Sequence, residues 1–177
     1  RPIARTDFQP SATSIPNEIS YSDPEPLSFG DNNWIRLVFI NGTYSPDMSR
    51  LNRAGKDITV TNLSDGMKTR PDLVRDHLSH YADYETKAFT ALNTSFVHDG
   101  ALIHIPDNRI VKEPIQIVFL SAPQDDTSVS HPRVLVVTGR NSEATIIEEY
   151  TGPLNAEYLT NGVTELVIGE GSNVKYY

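Results

Sequence analysis

The strongest constraint on the fold of this chain is a repeat. Val136-Val-Thr-Gly139-Arg-Asn-Ser142-Glu-Ala144-Thr-Ile146-Ile147 aligns without gaps on Leu166-Val-Ile-Gly169-Glu-Gly-Ser172-Asn-Val174-Lys-Tyr176-Tyr177, an offset of 30 residues. Both glycines and both serines superpose, and the apolar positions around them match in kind. A strand–turn–strand unit returning at a fixed interval is the signature of coils stacked on one another, each covering the face that its neighbour cannot bury alone. Two copies of such a unit are also compatible with a meandering β-sandwich.

The surrounding sequence has the same character. Short β-type runs occupy 101–105, 115–120, 133–137, 144–149, 163–168 and 174–177. The breaks between them, at 106–108, 123–132, 139–142, 152–155 and 169–173, are rich in Pro, Gly, Asn, Asp and Ser, which turn the backbone. No helical period interrupts this half of the chain, which reads as all-β.

Upstream, Trp34-Ile-Arg-Leu-Val-Phe-Ile-Asn41-Gly42-Thr-Tyr-Ser45 reads as a hairpin on Asn-Gly, the pair best suited to a type I′ turn. Ile58 and Val60, at period two, predict a third strand over 56–62, with Asp65-Gly66 as the turn that closes the segment. Between 70 and 96 the period becomes helical. Leu73, Val74, His77, Leu78 and Tyr81 line one face, Ala88, Leu92 and Phe96 another, and Pro71 suits a first helical turn. These helices are expected to pack on the hairpin or to cover one end of the β region, where strand edges would otherwise stand open. The organisation is therefore an extended, Pro- and Ser-rich lead-in (1–28), a small α/β region (29–98) and the start of a stacked β core (99–177).

Composition excludes several classes. A length of 177 residues suits one domain, or one domain with a smaller appendage. A net charge of −8 argues against nucleic acid or an anionic membrane as the main partner. The longest wholly apolar runs, such as 37–40 and 134–137, hold four residues, against the roughly 20 of a membrane-spanning helix. The absence of cysteine removes disulfides and thiolate ligands, and fits a reducing compartment. The chain starts at Arg1 without the apolar segment of a signal peptide, and reads as a piece of a longer protein.

Few residues suggest chemistry. His77 and His80 with Asp76 and Asp83 have spacings at which zinc or iron could be ligated, but a third ligand of clear identity is lacking and a polar helix face accounts for them. His98, Asp99 and His104 read the same way. Adjacent Glu148 and Glu149 point to opposite faces of a strand, so they cannot act as an acid/base pair from one face. Glu165 could join one of them across a coil, as in a calcium-binding rung, although exposed surface carboxylates are the ordinary reading. Gly169-Glu-Gly171 with Lys175 does not have the spacing of a phosphate-binding loop. Sequons at Asn41, Asn62 and Asn93 would suit a secreted protein.

One run is recognisable. Phe89-Thr-Ala-Leu-Asn93-Thr-Ser-Phe96-Val-His-Asp99-Gly100-Ala-Leu-Ile-His-Ile105-Pro106 resembles the stretch leading into the core of the SufB/SufD family of iron–sulfur cluster assembly proteins. Pro114-Ile-Gln-Ile117, Pro132-Arg-Val-Leu-Val-Val137, Ala144-Thr-Ile-Ile-Glu-Glu149 and Thr160-Asn-Gly-Val-Thr-Glu165 are similar to consecutive segments of that family in the right order. The hairpin Arg36-Leu-Val-Phe-Ile-Asn-Gly-Thr-Tyr44-Ser-Pro46 resembles the SufD branch rather than the SufB branch. The similarity runs from about Trp34 to Tyr177, and its specificity lies in the ordered series rather than in any one motif.

The resemblance implies a right-handed parallel β-helix, here its first rungs, preceded by a small α/β region. It implies a scaffold subunit, not an enzyme, in a cytoplasmic or plastid-stromal complex of SufB, SufD and the ATPase SufC. An iron–sulfur cluster would be transient cargo of the full complex. In the family, further rungs and an ATPase-binding helical region follow the part represented here, so no catalytic, cofactor-binding or metal-binding residue is carried over onto this chain. An open coil near 174–177 is expected to favour self-association. A secreted β-helix enzyme active on polysaccharide, or a carbohydrate-binding protein, is the alternative.

Overall fold

The computed structural model describes residues 9–10, 30–51, 54–55, 57–122 and 127–177. Apart from residues 9–10, the lead-in over 1–28 lies outside the described residues. The fold is mainly β with three helices. In chain order the elements are β1 (Gln9–Pro10), β2 (Ile35–Ile40), β3 (Thr43–Tyr44), β4 (Thr59–Asn62), α1 (Leu63–Thr69), α2 (Pro71–His77) and α3 (Ala88–Phe96). They continue with β5 (Gly100–Ile105), β6 (Ile115–Leu120), β7 (Thr127–Ser130), β8 (Arg133–Thr138), β9 (Glu143–Thr151), β10 (Glu157–Thr160), β11 (Val163–Ile168) and β12 (Asn173–Tyr176).

The hairpin forms where Asn-Gly dictates. Phe39 faces Tyr44 and Ile40 faces Thr43 across antiparallel β2 and β3. Asn41 (φ 50°) and Gly42 (φ 82°) are both left-handed, as a type I′ turn requires.

From β5 onward the chain makes successive circuits, β5–β6–β7, β8–β9–β10 and β11–β12, and strands of the same rank pair in parallel. β8 lies between β5 and β11, β9 between β6 and β12, and β7 beside β10. The 30-residue repeat becomes register: Val136 pairs Leu166, Ala144 pairs Val174 and Ile146 pairs Tyr176. Its glycines and serines explain themselves. The Gly169 N–H donates to the Thr138 carbonyl at 2.9 Å, and a Cβ on Gly169 would overlap the Gly139 backbone. Ser142 and Ser172 hydroxyls lie 3.1 Å apart and both donate to the Gly139 carbonyl, at 2.9 and 2.6 Å.

Each stack begins with a strand from before Leu63. β2 adds to β6 in parallel, β1 to β7 in parallel, and β4 to β5 antiparallel. Strands, not helices, therefore cover this end, because an edge N–H or C=O is satisfied by another strand. The helices lie on the flank instead. Leu63 of α1 and Val74 of α2 are buried with Leu102, Leu135 and Val137 of β5 and β8. The opposite faces of these strands supply Ala101, Ile103, Val134 and Val136 to the main core, together with Leu37, Phe39, Ile117 and Phe119. Val38, Ile40, Val118 and Leu120 pack on the outer side with Met48. Covered on both faces, β2, β6 and β8 are buried throughout and read in the sequence as unbroken runs.

Other local expectations change as well. Asp65-Gly66 is not a turn but part of α1. The Ser64 N–H donates to the buried Asp99 carboxylate at 3.0 Å, which starts the helix directly from β4. Pro71 opens α2, as expected. Leu92 and Phe96 do not form a buried stripe: Phe96 is 61 % exposed and the buried residue of α3 is Asn93. Tyr81 lies beyond α2 and is exposed. The break at 123–132 contains β7, and β10 follows the break at 152–155 where no strand is expected, because these short, largely polar strands are defined by backbone pairing with each other rather than by an apolar pattern.

Candidate functional site

Two polar clusters interrupt the apolar stacks. In the first, Arg133 opens β8, and Glu165 stands two residues beyond Val163, the partner of Arg133 across the parallel pair. Both side chains are 1 % exposed, with Arg133 Nη2 at 2.7 Å from Glu165 Oε2. The carboxylate accepts five hydrogen bonds, from Arg133 Nε (3.1 Å) and Nη2 and from the backbone N–H groups of Ser79 (2.8 Å), Tyr81 (2.9 Å) and Ala82 (3.1 Å). Burial alone would raise its pKa. The N–H groups of Tyr81 and Ser79, the Arg133 guanidinium and the N–H of Ala82 outweigh that and hold it below the usual value.

Arg133 Nη1 also donates to Asn93 Oδ1 at 3.0 Å, and Asn93 Nδ2 donates to the carbonyls of Pro132 and Asn161, both at 2.8 Å. This cluster joins β8 and β11, the segment after α2, and α3. A carboxylate so fully engaged is a joint, not a vacant ligand.

The second cluster lies where the interior changes character. Along one inner column Leu37 pairs Ile117 and Ile117 pairs Glu148. Glu148 accepts hydrogen bonds from the phenols of Tyr150 and Tyr176 and, at 2.8 Å, from the Thr164 hydroxyl. Burial and the negative charge of Glu148 push both phenols well above their ordinary value, so they stay protonated donors. Tyr150 also stacks on Phe119 at 5.3 Å, and Phe119 lies 5.1 Å from Phe39, an aromatic column that ends at this polar site.

The residues singled out from the sequence are dispersed. His77 Nδ1 meets the Tyr81 phenol at 2.7 Å, Asp76 pairs with Arg75, and Asp83 receives the N–H groups of Glu85 and Thr86. His98 is exposed, whereas its neighbour Asp99 is buried beneath α1. His104 meets Arg70 at 3.3 Å. Among the described residues no group of three or more His, Asp or Glu is placed to hold a metal ion. Glu149 accepts from Gln116 Nε2 at 2.8 Å. Glu165 joins neither Glu148 nor Glu149 and is not a surface carboxylate; its partner is Arg133. The sequence signal for this pair was a charge inside an otherwise apolar strand, in Arg133-Val-Leu-Val-Val and again in Val163-Thr-Glu-Leu-Val-Ile168.

Parallel stacks built by successive circuits, begun by strands of a small N-terminal region and flanked by short helices, define a repeat-built β protein. Family comparison resolves the class further. Residues 32–117 match the model for the SufBD protein N-terminal region, and residues 119–177 match that for the SUF system FeS cluster assembly SufBD core domain. The chain belongs to the SufB/SufD family.

It is 33 % identical over 155 residues to an iron–sulfur cluster assembly SufBD family protein of Synechocystis, covering 80 % of this chain and 33 % of that protein. It is 24 % identical over 145 residues to the iron–sulfur cluster assembly protein SufD of Bacillus subtilis, covering 80 % of this chain and 33 % of the relative. To a chloroplastic SufBD family protein of Arabidopsis thaliana it is 27 % identical over 120 residues, with coverages of 67 % and 21 %. The chain thus spans a third or less of the length of these curated relatives.

Proposed function

We propose that this chain forms the first part of a SufD-like scaffold subunit for iron–sulfur cluster assembly, and that its parallel stacks are the opening rungs of a right-handed β-helix. The observation that carries this reading is the continuity of the family match, N-terminal region then core, over 32–177. The role is non-catalytic in this part: it presents a stacked surface to a SufB-like homologue, while an ATPase of the SufC type engages the longer protein. The cluster is cargo of the assembled complex, bound transiently. The compartment is the cytoplasm or the plastid stroma, the latter in keeping with a relative described as chloroplastic.

The geometry gives no support to a secreted β-helix enzyme or carbohydrate-binding protein. Two of the three sequon asparagines are inaccessible to a glycan: Asn93 is 0 % exposed and Asn62 is 6 % exposed. Asn41 engages Ala122 through both ends of its amide. The carboxylates that a calcium rung would need are each bonded elsewhere.

The test is co-purification of the full-length protein with a SufB-like protein and a SufC-like ATPase at low salt. Retention of both is expected. Recovery of neither would remove the scaffold reading.

A further inference from the structure

At its two rims the helical flank also meets the stacks at histidines, and in each case the nitrogen that faces the ring can only donate a hydrogen bond. On β5, His104 Nδ1 lies 3.3 Å from Arg70 Nη2, at the junction of α1 and α2. A guanidinium offers only N–H donors and no acceptor. Before β8, His131 Nδ1 lies 3.1 Å from Asn161 Nδ2, and its ring stacks on Phe96 of α3 with centroids 5.6 Å apart. The Asn161 amide cannot reverse its ends without loss, because the same Nδ2 donates to the Phe89 carbonyl of α3 at 2.9 Å. Both rings must therefore be neutral, with Nδ1 bare and the proton on Nε2.

From this geometry we infer that His104 and His131 form an acid-sensitive latch: protonation of Nδ1 sets donor against donor at each seam and loosens the helices there, at the two rims of the flank. At His104 the facing groups are Arg70, the hydroxyl of Thr59 on β4 to which Arg70 also donates, and His77 of α2; both Arg70 and His77 oppose a second positive charge. At His131 they are Phe96 and Asn161. Both histidines are held below the ordinary value of 6.5, His104 by burial and then by Arg70 and His77, His131 by burial. A group of lowered pKa binds its proton more tightly once released, so the closed state loses ground as pH falls below 6.5.

The central joint does not release in this window. Glu165 is held below its ordinary value of 4.5 and stays ionised against Arg133. Acid therefore loosens the two rims before the middle.

The experiment is amide hydrogen exchange on the full-length protein at pH 7 and pH 5, corrected for intrinsic rates. Amides of α2 and α3 are expected to lose protection by about tenfold for each unit by which a histidine is held down, while those of β5 and β8 hold. In H104N/H131N, Asn Oδ1 replaces Nδ1 as an acceptor that does not titrate, so protection at pH 7 is kept and the pH dependence disappears. Equal losses in helices and strands, or an unchanged pH dependence in the double variant, would overturn the latch. Histidine Cε1–H titration of the unaltered protein provides a second check: values at or above 6.5 for both rings refute it.

Discussion

In β6 and β8 every residue is buried, whereas in α3 the buried residue is Asn93 while Phe89 and Phe96 are more than half exposed. The stacks hold together by apolar layers, Ile117 on Leu37 and Val136 on Ile103, each layer covering the one before. The third helix is held largely by polar atoms: Asn93 to Pro132, Asn161 and Arg133, and Asn161 back to Phe89. An apolar period therefore predicted burial where successive layers supply it, and failed where one short helix meets the corners of those layers. The lesson is that amphipathic spacing reports helix formation more securely than it reports which face is buried.

This contrast can be broken most sharply at the joint. Arg133→Ala leaves Glu165 buried without its counter-charge, and the full-length protein should lose about 3–5 kcal/mol in urea unfolding; a loss below about 1 kcal/mol would mean that the helices are held by something else. The stack's own packing is tested by Gly169→Ala, which puts a methyl group into the Gly139 backbone. That overlap should cost about 1–3 kcal/mol, and a neutral result would show that the corner can open.

Acid gives the next contrast. Because the Glu165 pKa is lowered, its contribution is complete above the ordinary 4.5 and is lost as pH falls through the folded value. Thermal unfolding of the full-length protein should therefore weaken with acid below pH 4.5, and less steeply in Glu165→Gln. Identical slopes in the two proteins would exclude Glu165 as the cause.

The smallest effect is expected at the exposed helix face, where Phe89→Ser should change stability by no more than about 0.5 kcal/mol. A loss above about 2 kcal/mol would show that the face is covered in the whole protein.

Several features were legible because the cause is local. Asn41-Gly42 sets its own turn, and Pro71 its own helix start. The 30-residue repeat is itself the register of β8 on β11 and of β9 on β12. The candidate sites were less legible. Glu148 reads as one of two adjacent acidic residues, and only the fold brings Tyr150, Thr164 and Tyr176 around it. Arg133 and Glu165 are 32 residues apart, with no shared motif.

By itself the sequence determined the apolar strands of the two main stacks, the hairpin and the 30-residue interval, since backbone preference and alternation act over a few residues and a repeat reports its own stacking. Only the tertiary structure decided that strands rather than helices begin each stack, that β7 and β10 make a third one, and that α3 turns Asn93 inward. Those outcomes depend on which distant donors and acceptors must be satisfied once water is excluded, and that requirement belongs to the assembled fold.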